Sequence, residues 1–485
     1  MQGAAGGGIS SPSQGVWGQR PQAQTPSPSQ INMYPNLQPL TPQLQTLQNN
    51  LNDRGVKYAM ASFVDIHGMC KGKIVPLSHF DRMMQGSELF TGAALDGVPQ
   101  EISDDEVATM PDPDSATVLP WNPEIAWFAS DLYLNEKPFD ACCRTILKGV
   151  LDQAASMGYR FNLGIETEFF IFKETEAGFG PVSDRDNLPK AAYALPTVLD
   201  NYKILDRIVS AMNGLGWDVY SFDHEDAQGQ FETDFTYCDA LTMADRLTFF
   251  RFMVKELARE QGYFASFMPK PFANQTGSGA HYNMSLADLE TGKNLFNDSD
   301  DPCGLSKLGY QFIAGVLKHA KAIVAVTCPT VNSYKRLVRQ GSMSGFTWAP
   351  VYVCYGNNNR TNMLRIPMGG GRVECRAADI STNLYLGAAM ILAAGLEGIR
   401  EGLDPGEPHR ENMYEYSLEE LEKLGIEMLP QTLGEAIADF AADPLSEKVM
   451  GPLMYQTYVD FKTQEWQEYH SHVSDWELQR YLKFF

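Results

Sequence analysis

The chain has no Cys-x-x-Cys pair among its eight cysteines, Cys70, Cys142, Cys143, Cys238, Cys303, Cys328, Cys354 and Cys375. That removes zinc ribbons and dithiol redox motifs, and the scatter reads as reduced structural thiols of a cytoplasmic protein. No apolar run approaches the roughly 18 residues needed to span a membrane. The basic-then-apolar order of a secretory signal is lacking at the start. Basic residues are few: Lys and Arg number 38 against 60 Asp and Glu, a net charge of -22. With no Lys/Arg cluster to offset it, that balance repels a phosphate backbone and argues against nucleic acid as a partner. There is no G-x-x-x-x-G-K-S/T, which excludes a P-loop NTPase, and no Gly-rich loop with H-R-D, which excludes a protein kinase. No internal repeat of about 20–50 residues supports a solenoid.

What is present is 485 residues with 44% hydrophobic content, enough for two or three domains. Residues 1–36 are rich in Gly, Ser, Pro and Gln with almost no charge, and read as a disordered tail. Residues 37–138 read as a small β-rich domain. It has a short helix from Leu44 to Gly55, a strand pair turning at His67-Gly68 and ending near Pro76, and a later strand in "EIAWFASDLYL". Residues 139–485 form the larger region. Helices are expected over Thr145 to Met157, Leu205 to Leu215, Ala244 to Gln261, Leu308 to Val326 and Leu384 to Arg400. "YRFNLGIETEFFIF", "AHYNMSLAD" and "RVECRAAD" read as strands, with two more around Gln228-Gly229. Strands and helices do not alternate as βαβ units do, so the expected class is α+β with an antiparallel sheet.

Four short segments concentrate the chemistry. In "GIETEFFIF", Glu166 and Glu168 sit at i and i+2, which places both on one face of a strand. Buried side by side they call for a cation; the alternative is a solvated face. In "HEDAQGQFE" the Gln228-Gly229 turn can bring Glu225 and Glu232 together, or simply make an acidic surface hairpin. In "RVECRAAD", Arg372, Glu374 and Arg376 share a face, as a structural ion pair or as a phosphate-and-metal site. His281 in "TGSGAHYNMSL" is either structural or a ligand, with Gly277 and Gly279 before it allowing close backbone approach. Five carboxylates and an imidazole suit Mg²⁺ or Mn²⁺. Arg336, Arg360, Arg365, Arg372 and Arg376 follow, and metal ions with guanidiniums are the equipment of phosphoryl transfer. The run Gly369-Gly370-Gly371 is either a phosphate cradle or a plain turn.

These segments, together with "PTVNSYKRL", "NNNRTNMLRIP" and the ending "VSDWELQRYLKFF", resemble glutamine synthetase in order and spacing over roughly residues 40–485. The form "SGFTWAPVYVCYGNNNRT" resembles the type III branch, which includes γ-glutamylmethylamide synthetases. The resemblance implies a β-grasp domain followed by a catalytic domain whose antiparallel strands build a barrel-like site. It also implies a dodecamer of two hexameric rings with active sites between subunits. Residue by residue, it implies that Glu168, Glu225 and Glu232 hold one metal and Glu166, His281 and Glu374 the other. Arg336, Arg376 and the backbone of Gly277 would bind glutamate. Arg360 and Arg372 would neutralise the transferring phosphate. Arg365, Asn283 and Ser285 would lie on the ATP side. The implied reaction makes γ-glutamyl phosphate from ATP and glutamate, then an amide from an amine.

Three departures from the family pattern concern the amine and the nucleotide. Trp348 stands where the family has a glutamate that holds ammonium, and an indole face suits an alkylamine. "LDGVPQ" replaces an aspartate-glycine-serine-serine loop but keeps Asp96, either as a catalytic carboxylate for a neighbouring subunit or as a turn cap. Asn283 replaces a histidine. The expected activity is therefore glutamate ligation to ammonia or a short alkylamine such as methylamine. The rivals are a polyamine ligase, with "SDDE" at Ser103 to Glu106 supplying acidity, and a non-catalytic nitrogen-sensing homologue. Tyr414 lies where some bacterial relatives are adenylylated, and is otherwise an ordinary surface tyrosine.

Overall fold

Asp65 closes a tight turn by accepting hydrogen bonds from the backbone N–H of His67 and Met69, both at 3.0 Å. The strand before it, Tyr58–Val64, pairs antiparallel with Cys70–Pro76 across that turn. On its other edge it pairs parallel with Asn122–Leu134, which also carries Val107–Pro111. The helix Pro42–Asp53 starts at a Thr41 cap, with Pro42 in its first turn, where a missing N–H costs nothing. It lays Leu44, Leu47 and Leu51 over one face of this sheet, on Ala59, Ala61, Val75 and Phe128. The computed structural model describes residues 38–176 and 178–485; the expected tail, residues 1–36, lies outside the described residues.

Arg144 ties this sheet to the larger, C-terminal part of the chain. Its guanidinium is 3% exposed and donates to Asp245 at 3.0 Å, Asp131 at 2.9 Å and Asp112 at 2.6 Å. A buried cation surrounded this way is fully satisfied, and removing a single partner would leave part of a buried charge unpaired. Arg144 opens the helix Cys143–Ser156, and Asp245 sits on the long helix Ala240–Arg259.

Two sheets among the described residues build the site. One runs Gly178–Pro181, Thr167–Thr175, Gln230–Phe235, Val219–His224, all antiparallel, with Phe264–Ser266 on the second strand. The other runs Cys238–Asp239, Tyr159–Ile165, Tyr282–Asp288, Val373–Cys375, Asn362–Ile366, Tyr352–Asn357, antiparallel except for its last pair. The helices Lys307–Lys318 and Leu384–Glu401 pack on each other beside this second sheet and contribute to the main apolar core. Residues Pro39–Phe485 form one compact unit.

Two expected elements are each two elements. "YRFNLGIETEFFIF" is broken at Glu166 into Tyr159–Ile165 and Thr167–Thr175, which belong to different sheets. Glu166 sits on the seam, its N–H donating to the carbonyl of His281 at 3.2 Å. The helix expected from Leu308 to Val326 is Lys307–Lys318 followed by Ala320–Thr327, broken at His319. His319 is 5% exposed and lies between Asp443 at 2.8 Å and Glu397 at 3.0 Å.

Candidate active site

The seam between the two sheets collects the acidic side chains. From the first sheet, register sets Glu168 directly opposite Glu232, and Glu232 opposite Asp223. Three carboxylates thus lie in a row across three strands, a pairing that is destabilising when all are charged. Glu225 follows the Val219–His224 strand, and the Gln228-Gly229 turn folds it back toward Glu168 and Glu232. From the second sheet come Glu374, opposite both Asn283 and Arg365, and His281 just before Tyr282–Asp288.

Electrostatics divides the carboxylates into two sets. Burial, then the charge of Glu225, pushes the Glu168 carboxyl up to about 8. Burial first and neighbouring acids second also raise Glu225 and Glu232. Glu166 goes the other way. Burial pushes its carboxyl up, but the hydrogen bond and charge of His281, with a hydrogen bond from Asn283, hold it down at about 2. The His281 pKa is lowered, by burial and then by Arg376. Burial and like charge thus prevail in one set, against the Arg336 guanidinium beside Glu168, and the hydrogen bonds of His281 and Asn283 prevail in the other.

Among the described residues one trio meets the geometry of a cation site: ligand atoms of Glu166, His281 and Glu374 all lie within 4.8 Å of one another. His281 Nδ1 is 2.6 Å from Glu166 Oε2 and 3.9 Å from Glu374 Oε1. The second trio, Glu168, Glu225 and Glu232, is brought together more loosely, by register and by the turn that carries Glu225. Glu168 is fixed on one side by Gln230 Nε2 at 3.0 Å and the Gly279 N–H at 2.8 Å. Carboxylates and one imidazole are a hard donor set suited to Mg²⁺ or Mn²⁺, and the uncompensated repulsion among the buried acids fits a cation between them.

The arginines take three different places. Arg376 is buried and donates from Nη1 to Glu374, from Nε to the carbonyl of Arg360 at 3.2 Å, and from Nη2 to the carbonyl of Trp348 at 3.1 Å. Arg365 grips the other oxygen of Glu374 and reaches Asn358 at 2.7 Å. Arg336 is 3% exposed and stands 3.5 Å from His281 Nε2, with its Nη1 buried and without an acceptor among the described residues. Such a donor, aimed beside the acidic cluster, suits a carboxylate ligand. Arg360 and Arg372 are exposed at the rim.

A cleft of about 480 Å³ opens from Glu166 past Asn283, Ser285, Arg372, Tyr220 and Gly371. That volume suits a nucleotide-sized ligand. Asn283 links its two walls: its Nδ2 donates to Glu166 at 2.9 Å, and its Oδ1 accepts from Arg372 Nε at 3.0 Å. The glycine run at the cleft edge is a turn. The N–H groups of Gly370 and Gly371 are spent on Pro367 and Gly304, at 3.1 and 2.9 Å. The two glycines before His281 differ in purpose. A Cβ at Gly277 would lie 2.2 Å from the carbonyl of Pro269, so the chain itself demands glycine there. At Gly279 it would lie 2.8 Å from His281 Nε2 and 2.9 Å from Glu168 Oε1, inside the cluster.

Asp96 is not brought to the cluster within this chain. It is exposed and lies 3.5 Å from His67 Nε2. Trp348 is 40% exposed with φ of 55°, its ring 5.0 Å from that of Phe346. Tyr414 is not a free surface tyrosine: its hydroxyl donates to the carbonyl of Ala349 at 2.5 Å. Sequence reasoning missed Asp226, Asp234 and Tyr220, which border the same site. Asp226 and Asp234 lie inside acidic strings, where ligand spacing draws attention to their neighbours.

A seam of two sheets lined with acids and arginines beside a nucleotide-sized cleft has the equipment of a phosphoryl-transfer enzyme. The pattern describing the glutamine synthetase catalytic domain matches residues 140–481, and the chain belongs to the glutamine synthetase family. A glutamate–methylamine ligase from Methyloversatilis universalis is 43% identical over 441 residues, covering 90% of this chain and 99% of the relative. A glutamine synthetase from Rhizobium meliloti is 38% identical, covering 89% and 97%. A solved structure titled as a GmaS/ADP complex superposes with a TM-score of 0.85 at 38% identity, covering 90% of this chain and 99% of that one.

Proposed function

We propose that this protein is an ATP-dependent glutamate–amine ligase whose amine is methylamine or a similarly short alkylamine, with ammonia as a poorer alternative. The observation that carries the amine choice is Trp348. An indole paired with Phe346 stands at the rim, its carbonyl held by the arginine that grips Glu374. An aromatic face attracts a cationic alkylammonium and welcomes its methyl group, whereas it offers ammonium no hydrogen-bond acceptor.

Glu166, His281 and Glu374 would hold one divalent cation, Glu168, Glu225 and Glu232 a second. The cations would supply charge neutralisation on the transferring phosphoryl group. The chain's own residues do the rest. Arg336 binds a glutamate carboxylate through its free Nη1, with Arg376 and the Gly277 backbone beside it. Arg360 and Arg372 face the phosphates from the rim, and Arg365 fixes Glu374. Asn283 and Ser285 line the nucleotide cleft. The γ-carboxylate of glutamate attacks the γ-phosphorus of ATP, ADP leaves, and the amine nitrogen then displaces phosphate from the acyl carbon. Positioning and charge stabilisation account for most of such a rate.

The same reading extends to assembly. Residues 37–138 would be a β-grasp domain and 139–485 the catalytic domain. The exposed Asp96 would complete a neighbour's site in a dodecamer of two hexameric rings in the cytoplasm. The ending helix Asp475–Tyr481 and its tail expose Trp476, Leu482, Phe484 and Phe485, an apolar end suited to a second subunit.

Phosphate release with ATP, Mg²⁺ and glutamate, comparing methylamine, ethylamine, ammonium and putrescine at equal concentration, tests the reading. A tenfold higher kcat/KM for methylamine than for ammonium, about 1.4 kcal/mol, supports it. A preference for ammonium or putrescine overturns the amine, and no release with any amine overturns the ligase.

A further inference from the structure

γ-Glutamyl phosphate is lost to water unless the site is closed before the amine arrives. The segment 338–349 between Leu337 and the strand Tyr352–Asn357 has no regular secondary structure and carries Trp348. Ser344 and Thr347 are buried within it, while Met343, Phe346 and Trp348 are exposed. Beyond the N–H bonds of Met343 and Gly345, side chains hold its middle in place.

Its ends are tied by Arg339, which donates to the carbonyls of Tyr414 and Tyr416 at 2.7 and 2.9 Å, by Arg376, which holds the carbonyl of Trp348, and by Tyr414, which holds that of Ala349. In the middle the Met343 N–H donates to the carbonyl of Asn274 at 2.8 Å, and one carboxylate gathers the side chains. Asp226 Oδ2 accepts from Ser344 Oγ at 2.5 Å and also from Thr276 Oγ1. Ser342 Oγ completes the knot, 2.9 Å from Ser344 Oγ and 3.4 Å from Thr276 Oγ1. Thr276 leads directly into Gly277, and the Asp226 N–H donates to Glu225 Oε2 at 2.9 Å. A single oxygen thus joins the acidic hairpin, the loop that enters Gly277 and the segment that ends in Trp348. Hydrogen bonds from hydroxyls to a carboxylate are among the stronger ones, and Asp226 forms no ion pair within the described residues that would suggest another purpose.

We propose that Asp226 is a positioning residue that latches the Ser342–Trp348 segment over the acyl phosphate. It decides whether the acyl carbon meets amine or water. The inference rests on the ligase reading. With the latch closed, the amine nitrogen bonds to the acyl carbon, the C–O bond to phosphate breaks, phosphate leaves with the electron pair, and the amine sheds a proton. With the latch open, a water oxygen takes the nitrogen's place and returns glutamate and phosphate.

The test is the ratio of amide formed to phosphate released by the full-length protein with ATP, Mg²⁺, glutamate and methylamine. Hydrogen–deuterium exchange of residues 342–348 is followed in parallel. Asp226→Asn is expected to lower the ratio about tenfold and to speed exchange in that segment alone. Ser344→Ala is expected to give a smaller change in the same direction, and none beyond it in the Asp226→Asn background. An unchanged ratio in Ser344→Ala with unchanged exchange overturns the latch, whether or not Asp226→Asn folds. If the unmodified protein forms no amide with any amine, the ligase reading and the latch fall together; a working ligase with an insensitive ratio sinks the latch alone.

Discussion

Glu168 and Glu232 face each other across two neighbouring antiparallel strands, so the fold stores like-charge repulsion at the place proposed for a cation. Folding raises the pKa of these groups, Glu168 to about 8, so their contribution to stability is present below about 4.5 and is lost as pH rises through the folded values. Metal-free protein should therefore lose stability progressively across that window, and Mg²⁺ or Mn²⁺ should restore it at the alkaline end. Calorimetry with and without a chelator reads both effects. A melting temperature independent of metal at pH 8 would contradict the placement.

Replacing Glu232 by Gln removes one of the opposed charges. In chelated protein the melting temperature should rise at neutral pH, while amide synthesis should fall about a hundredfold or more. A variant both less stable without metal and fully active would show that Glu232 serves only the fold.

Trp348→Glu should exchange an aromatic face for a carboxylate. The kcat/KM ratio of methylamine to ammonium should fall about tenfold or more, with the glutamate KM little changed. An unmoved ratio would remove Trp348 from amine selection.

Arg376 serves Glu374 and two carbonyls from separate segments at once, a task that needs a planar fork. Arg376→Lys can replace only part of it. Activity should drop about a hundredfold and stability by about 3 kcal/mol, read by amide synthesis and urea unfolding. Near-normal values on both would mean that the neighbouring ties suffice.

His319 gives a pH dependence of the same sign from a different cause. Burial lowers its pKa, but hydrogen bonds to Asp443 and Glu397 outweigh that and raise it. Its contribution to stability is complete below its unfolded value of about 6.5 and fades as pH rises through the folded value. His319→Gln should cost more stability at pH 6 than at pH 9. Equal cost at both would show that the imidazole is not held as a cation.

Much of this site was legible because its parts lie in short strings with a fixed period. The hairpin at Gln228-Gly229 and the shared face of Glu374 and Arg376 follow from turn chemistry and strand alternation. Glu166 reads as part of one long strand because "GIETEFFIF" keeps its apolar character through the point where the chain changes sheets. The break at His319 is equally hidden, since Lys307–Lys318 and Ala320–Thr327 share a continuous apolar character. Asp226 could not be singled out because its role depends on loops about 50 and 118 residues away meeting at one oxygen. Long-range convergence of that kind leaves no local pattern.

Arg376 holds Trp348 by its carbonyl oxygen and not by its ring. The fastening belongs to the backbone, which every residue type carries, and the side chain is left free to vary. On the proposed reading, exchanging this one side chain would change the amine while leaving the residues proposed for phosphoryl transfer in place. Selection could explore nitrogen sources here without first dismantling a working enzyme.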